Sequence, residues 1–100
     1  MPSFRLRLED TYWSRGFFNV GVESERYVTM TEGPFDVYLE DAAVPIAGRV
    51  SRSANRNATP RIYGNKPLAD FFQTKYKPGD SVQIDFISPT AIRVGGRPRS

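Results

Sequence analysis

Apolar and polar residues alternate in short runs along most of this chain, and no other feature constrains the fold as strongly. Residues 4–8 (Phe-Arg-Leu-Arg-Leu) show it most clearly, because three apolar side chains fall on one face and two arginines on the other. A period of two residues is typical of a half-buried β-strand. The same reasoning predicts further strands at residues 17–22, 26–30, 35–39, 44–50, 60–63, 81–87 and 91–94.

One stretch follows a helical period instead. Leu68, Phe71 and Phe72 lie three and four positions apart and share one apolar stripe. Asn65 can cap such a helix, and Pro67 suits its first turn. These signals predict one helix of about two to three turns.

Length and composition limit the chain to one domain. One hundred residues with 39% hydrophobic content can bury one modest core. About seven short strands and one helix describe a small barrel, so we predict a mainly β fold, a seven-stranded open β-barrel with one or two short helices. The domain is expected to span residues 1–94, with a flexible basic tail at residues 95–100.

Charge is distributed unevenly along the chain. Residues 1–41 hold eight acidic and four basic side chains, whereas residues 42–100 hold three and ten. Residues 42–69 contain no acid and five basic side chains. A positive field that no neighbouring acid offsets attracts phosphate, so this half of the chain predicts a nucleic-acid partner.

The basic half contains a polar segment, residues 49–63, whose arginines are interspersed with short amide and hydroxyl side chains. Arginine and asparagine can each read a base with two hydrogen bonds in a major groove, and both also bind phosphate. Long polar loops on rigid β scaffolds usually carry function. The candidate DNA contacts in or next to this segment are Arg49, Arg52, Ser53, Asn55, Arg56, Asn57, Thr59, Arg61 and Lys66.

Most catalytic chemistry lacks its usual residues in this sequence. The chain has no His and no Cys, and it lacks the acid with a following Glu-x-Lys that metal-dependent nucleases use. We therefore predict no catalysis by this chain alone, no cofactor and no metal site. No apolar run approaches the roughly 20 residues of a membrane helix, and the N-terminus lacks a signal-peptide pattern, which together predict a cytoplasmic protein.

Three stretches of the chain, in order, resemble the B-three-like DNA-binding pseudobarrel: residues 55–64, 68–72 and 76–82. They contain an arginine-rich arm ending in Pro-Arg-Ile, an amphipathic helix, and a Pro-Gly-Asp turn followed by a strand. That family includes plant transcription factors and the recognition or effector domains of type II restriction endonucleases of the EcoRII and BfiI kind. The chain looks closer to the restriction-enzyme branch, and the similarity covers about residues 17–94.

The resemblance implies a barrel that grips the major groove of double-stranded DNA with two arms. The C-terminal arm would be residues 51–61, and the N-terminal arm residues 10–19, which adds Trp13, Arg15 and Asn19 to the candidate contacts. It also implies a recognition or regulatory domain of a restriction endonuclease-like system, with nuclease activity supplied by another domain or subunit. From the residues alone, the aromatic side chains of the N-terminal segment either fold into the core or face a ligand.

Two other interpretations remain open at the level of sequence. The chain can be a structural or protein-interaction β-barrel, in which an acidic face at residues 23–41 binds a partner and the arginine loop is merely solvated. It can also bind single strands on aromatic side chains, which requires Tyr and Phe exposed on a strand face. Most of the aromatic residues fall on positions that the alternation directs inwards.

Overall fold

The computed structural model describes residues 2–96 and confirms a mainly β open barrel. Seven strands form one mixed sheet that curves into a half-barrel, and two helices accompany it. The strands are β1 (Ser3–Arg7), β2 (Phe17–Asn19), β3 (Gly33–Leu39), β4 (Ile46–Ser51), β5 (Arg61–Tyr63), β6 (Ser81–Ser88) and β7 (Ala91–Val94). The helices are α1 (Asp10–Arg15) and α2 (Asn65–Lys75). Residues 97–100 of the predicted tail lie outside the described residues.

The strand order in the sheet is β1-β6-β7-β3-β4-β5-β2. All neighbours are antiparallel except β3 and β7, which run parallel. The half-barrel is open between its edge strands β1 and β2. Across this opening, the ring centroids of Phe4 and Phe18 lie 6.5 Å apart. Aromatic packing therefore closes this gap, where a complete barrel would have backbone hydrogen bonds.

The predicted inward positions form the core, because alternate side chains of each strand point to the concave side of the sheet. Phe18, Phe35, Ile62, Ile84 and Ile92 are fully buried there, and Leu68 and Phe72 of α2 pack against them.

Two predicted inward residues, Val22 and Val44, are instead exposed. β2 ends at Asn19 and a turn follows it, while β4 begins only at Ile46, so neither valine belongs to a strand.

The predicted strand at residues 26–30 is wrong. A short 3-10 helix, Glu25–Tyr27, takes its place, and irregular backbone leads from there to β3. The carbonyl groups of Glu25, Val28 and Thr29 accept hydrogen bonds from the Arg52 side chain. Because these acceptors are satisfied by a guanidinium group, the segment needs no neighbouring strand.

Both helices lie at the same end of β2 and β5, because α1 precedes β2, α2 follows β5, and the two strands are antiparallel. α1, which the sequence did not predict, ends at Gly16, and the Gly16 carbonyl accepts the N–H groups of Gly64 and Asn65 at the start of α2. The predicted helix α2 is confirmed with Pro67 in its first turn. The predicted cap is wrong, because Asn65 is already the first helical residue and Gly64 precedes it without a side-chain cap. Within residues 2–96, neither helix is long and apolar enough to cross a membrane.

Candidate functional site

The basic loop, residues 52–60, connects β4 to β5 and starts from a row of three paired residues. Arg61 of β5 lies opposite Asn19 of β2 on one side and opposite Ser51 of β4 on the other. The predicted return strand after the loop is therefore confirmed. All three residues lie at the same end of their strands, so the loop leaves the sheet next to the segment that follows β2.

Arg52 holds the base of this loop and points inwards. Its Nε donates to the carbonyl oxygen of Thr29 at 3.1 Å, and its Nη2 donates to those of Glu25 and Val28 at 3.0 and 2.8 Å. Its Nη1 lies 3.3 Å from the carbonyl oxygen of Ala58 and 3.5 Å from Oε2 of Glu25. Only 10% of the side chain is exposed. The sequence treated Arg52 as a DNA contact, but its guanidinium group ties the loop to the segment before β3.

Glu32 fixes the same end of the loop from outside. Its Oε2 accepts the backbone N–H groups of Arg52 and Ser53 and the hydroxyl groups of Ser51 and Ser53. These donors, with the backbone N–H of Arg52 contributing most, lower the pKa of Glu32 to about 2. The Ser53 hydroxyl, a predicted DNA contact, is thereby engaged within the protein.

Arg61 is held by a polar network of three side chains. Its Nε donates to Oδ1 of Asn19 at 2.9 Å, and its Nη2 donates to Oδ1 of Asn55 at 3.2 Å. Asn55 in turn donates to Oδ1 of Asn19 at 3.0 Å and to the Thr59 carbonyl at 3.1 Å. The guanidinium group also lies over the ring of Phe17, 4.6 Å from its centroid. The amide oxygens at one edge and the Phe17 ring at one face together fix the orientation of the Arg61 guanidinium group.

The tip of the loop is a turn whose outermost side chains are exposed. The N–H of Ala58 donates to the carbonyl of Asn55, and Ala58 has a positive φ of 61°. Thr59 is 6% exposed, and its hydroxyl donates to Oδ1 of Asn57 at 2.7 Å. Arg56 and Asn57 face solvent at this tip. Thr59 therefore supports the turn, whereas the Arg56 side chain is available to a partner.

A small aromatic cluster lies beneath Arg61 on the outer face of the sheet. Phe17 contacts Tyr12 edge-on with ring centroids 5.6 Å apart, and its centroid lies 5.8 Å from that of Tyr63. Arg49 is paired with Tyr63 across β4 and β5 and is exposed. Burial raises the pKa of the Tyr12 hydroxyl, with the nearby Glu9 carboxylate adding to the effect. The cluster supports the loop, and Arg49 adds a free positive charge beside it.

The remaining predicted contacts lie at the other end of β2 and β5. Trp13 packs against the core, and its indole N–H donates to the carbonyl of Tyr76 at 3.0 Å. Arg15 is exposed at the end of α1. Lys66 is exposed and pairs with Asp70 one helical turn later at 2.9 Å. The structure therefore brings together Asn19 and residues of the basic loop but leaves Trp13, Arg15 and Lys66 beyond β2 and β5.

Sequence reasoning missed Glu25, Glu32 and Phe17 as parts of the site. The two acids come from the acidic half of the chain, which the sequence assigned to solvent or to a partner protein. No local pattern could identify them, because they lie about 20 residues or more from the loop in sequence. The positive charge of the loop is thus partly offset in space, although no acid neighbours it in sequence.

Three acidic side chains of residues 23–41 are engaged within the protein. Glu25 and Glu32 bind the basic loop, and Glu40 lies 3.7 Å from the Lys75 ammonium. Within residues 2–96, no three acidic side chains are close enough together to hold a metal ion. No protein-family model matches this chain, and the searches of curated proteins and of solved structures also found no match.

Proposed function

We propose that this protein binds double-stranded DNA sequence-specifically through the basic loop and Arg61, the first residue of β5. In this proposal it is a cytoplasmic recognition or regulatory domain of a restriction endonuclease-like system, and it has no catalytic activity of its own. A separate nuclease domain or subunit would supply the chemistry. The observation that carries the proposal is the way Arg61 is held.

Two amide oxygens occupy the Nε–Nη2 edge of Arg61, while Phe17 lies against its face. Nη1 has no hydrogen-bond partner among residues 2–96. The Nη1–Nη2 edge is therefore the one that remains for a ligand. A guanidinium edge with two parallel donors matches O6 and N7 of guanine, and a fixed plane lowers the entropy lost on binding. Asn19 and Asn55 act in this proposal as positioning residues.

The exposed residues around Arg61 suit contacts to the DNA backbone. Arg56 and Asn57 lie at the tip of the loop, and Arg49 lies on the strand that leads into it. Phosphate contacts fix the register of a protein on a duplex, and base contacts then provide specificity. Arg15 and Lys66 supply peripheral attraction only. The proposal assigns no DNA contact to Arg52 or Trp13, because both side chains are engaged within the fold.

The test is selection from a pool of randomised duplexes, followed by sequencing of the retained DNA. The wild type is expected to enrich one short motif. Arg61→Lys keeps the charge but loses the two parallel N–H donors. It should therefore reduce the discrimination between bases at one position of the motif by about 1–3 kcal/mol. Arg56→Ala should weaken binding to all duplex sequences alike and reduce the dependence of affinity on salt concentration. Arg5→Ala, which removes an exposed arginine from β1, serves as the control and should retain the motif.

Each contrary outcome has a distinct meaning. Salt-sensitive binding without an enriched motif would reduce the protein to a backbone-binding module. Preference for single strands over duplexes would point to the outer aromatic cluster of Tyr12, Phe17 and Tyr63. Failure to bind any duplex at low salt would refute DNA binding and return attention to a protein partner.

A further inference from the structure

Four hydrogen-bond donors at the start of the basic loop converge on a single oxygen atom. The N–H and hydroxyl groups of Ser53 lie 2.8 and 2.9 Å from Oε2 of Glu32, and the Ser51 hydroxyl lies 2.9 Å from it. The backbone N–H of Arg52 is the fourth donor. The other carboxylate oxygen, Oε1, accepts no hydrogen bond from residues 2–96.

Such a group of donors has the chemistry of an oxyanion site. Two consecutive backbone N–H groups that point to one place form a concave nest, a common binding site for phosphate. A carboxylate oxygen has about two lone pairs, so one oxygen saturates before it serves four donors. A phosphate group brings more charge and several oxygens to the same donors. The four donors are therefore better matched to phosphate than to the carboxylate that holds them.

The carboxylate and its donors come from different parts of the chain. Ser51 ends β4, so three neighbouring residues supply all four donors next to a regular strand. Glu32 comes from irregular backbone just before β3 and is exposed. Its side chain can rotate into solvent without disturbing a strand, and the side-chain hydrogen bonds of Arg52 still anchor the start of the loop.

We propose that the donors of Ser51, Arg52 and Ser53 form a phosphate-binding site, and that Glu32 occupies it as a built-in competitor in the free protein. The ligand is a phosphate group, either free or in the backbone of a nucleic acid. Only the nucleic-acid source rests on the proposed function, because the donors bind an oxyanion whatever its origin. The Glu32 carboxylate thereby weakens phosphate binding and keeps the loop ordered when the site is not in use.

The first test uses inorganic phosphate and the amide resonances of Arg52 and Ser53. In Glu32→Ala these two resonances should shift with phosphate concentration and saturate, and in the wild type they should respond only at much higher concentration. Glu23→Ala is the matched control, since it removes an exposed carboxylate of the same segment and should behave as the wild type does. Equal responses of Glu32→Ala and Glu23→Ala would overturn the proposal.

Loss of Glu32 could also loosen the loop, so a second variant keeps the shape of the side chain. Glu32→Gln retains one acceptor oxygen without the charge, and phosphate should therefore displace it more readily than it displaces the native carboxylate. A saturable shift in Glu32→Gln that needs more phosphate once Ser53→Ala is added would support the site, because that second substitution removes one of the four donors. No saturable shift in either variant at Glu32 would refute it.

The second test replaces inorganic phosphate with a duplex at several salt concentrations. An added phosphate contact should steepen the slope of log K against log salt by about one in Glu32→Ala relative to Glu23→Ala. If no variant binds duplex while the phosphate shift is present, the proposed function fails and the phosphate site stands. If duplex binds with equal slopes and no phosphate shift occurs, the site fails and the proposed function stands.

Discussion

The basic loop and the segment that contains α1 were both expected to be arms that contact DNA, yet they are built in different ways. The loop is fixed by hydrogen bonds of Arg52, Arg61 and Glu32 at its base, which leaves its tip free. α1 is fixed by packing, through Trp13 and through the close approach of Gly16 to α2. A polar network can hold a loop without covering its outer side chains. α1 is held by its aromatic residues, so only its polar side chains, Arg15 among them, are exposed to a ligand.

Two arginines of the basic loop differ in the same way, one being held within the fold and the other exposed. Arg52 is largely buried among carbonyl groups, whereas Arg56 faces solvent four residues later. Counting positive charges in the sequence treats them as equal. Arg52 should therefore matter for stability and Arg56 for binding.

Arg52→Ala is expected to produce the largest loss of stability. It removes the donors that satisfy the carbonyls of Val28 and Thr29 and one of the two donors to the Glu25 carbonyl, at a cost on the order of 3 kcal/mol. Arg56→Ala, the control in the same loop, should change the free energy of unfolding by less than about 0.5 kcal/mol. Urea unfolding followed by the fluorescence of the single tryptophan measures both. Equal losses of stability in the two variants would show that Arg52 at the base of the loop and Arg56 at its tip do not differ in their role.

Gly16→Ala should destabilise the helical region next. Gly16 has a φ of 73°, and a Cβ placed there would lie 2.1 Å from the carbonyl oxygen of Asn65. Since the contact is with backbone, α1 and α2 must separate, at a cost of about 2 kcal/mol or more. Thermal unfolding of the variant beside Gly21→Ala measures this, because a Cβ at Gly21 meets no atom within 4 Å. Equal effects of the two substitutions would refute the close approach.

Trp13→Phe should cost about 1 kcal/mol, because it removes the hydrogen bond to the Tyr76 carbonyl and keeps an aromatic ring. Chemical unfolding monitored by circular dichroism gives the value. Binding to any enriched duplex should not change, in contrast to Arg61→Lys. A loss of affinity without a loss of stability would mean that α1 contacts the ligand, and the two regions would then share one function.

The smallest expected effect concerns pH and Glu32. Its pKa of about 2 in the folded protein lies below the ordinary value of 4.5, so its contribution to stability is present above about pH 4.5 and is lost as the pH falls towards 2. The wild type and Glu32→Gln should therefore differ most in urea midpoint at pH 6, and the difference should shrink at pH 3 and vanish only below about pH 2. Glu23→Gln provides the control. A difference that stays constant with pH would show that the carboxylate charge does not hold the loop.

Much of the fold could be predicted because alternation reports directly which face of a strand is buried. β1, β3 and β6 follow this rule, and their predicted inward residues form the core or pack against it. The failure at residues 26–30 has a physical cause. Tyr27 and Val28 suit a strand, but a guanidinium group from residue 52 satisfies the backbone there. Local composition contains no information about so distant a partner.

The candidate site was predictable in composition but not in orientation. The positive and amide residues of the loop were identified, and Asn19 does lie beside Arg61. Which arginine turns inwards depends on Glu25 and Glu32, which reach the loop only when the sheet is folded. α1 was missed because six residues are too few to show a helical period.

The position of β7 in the sheet determines how late in synthesis the fold can be completed. This four-residue strand lies between β6 and β3, and it alone joins the pair β1-β6 to the group β3-β4-β5-β2. It follows the other six strands in the chain, so a ribosome must release residue 94 before the two halves of the sheet can unite. Until then no ladder of backbone hydrogen bonds joins the two halves, and the core lacks the buried side chains of Ile92 and Val94.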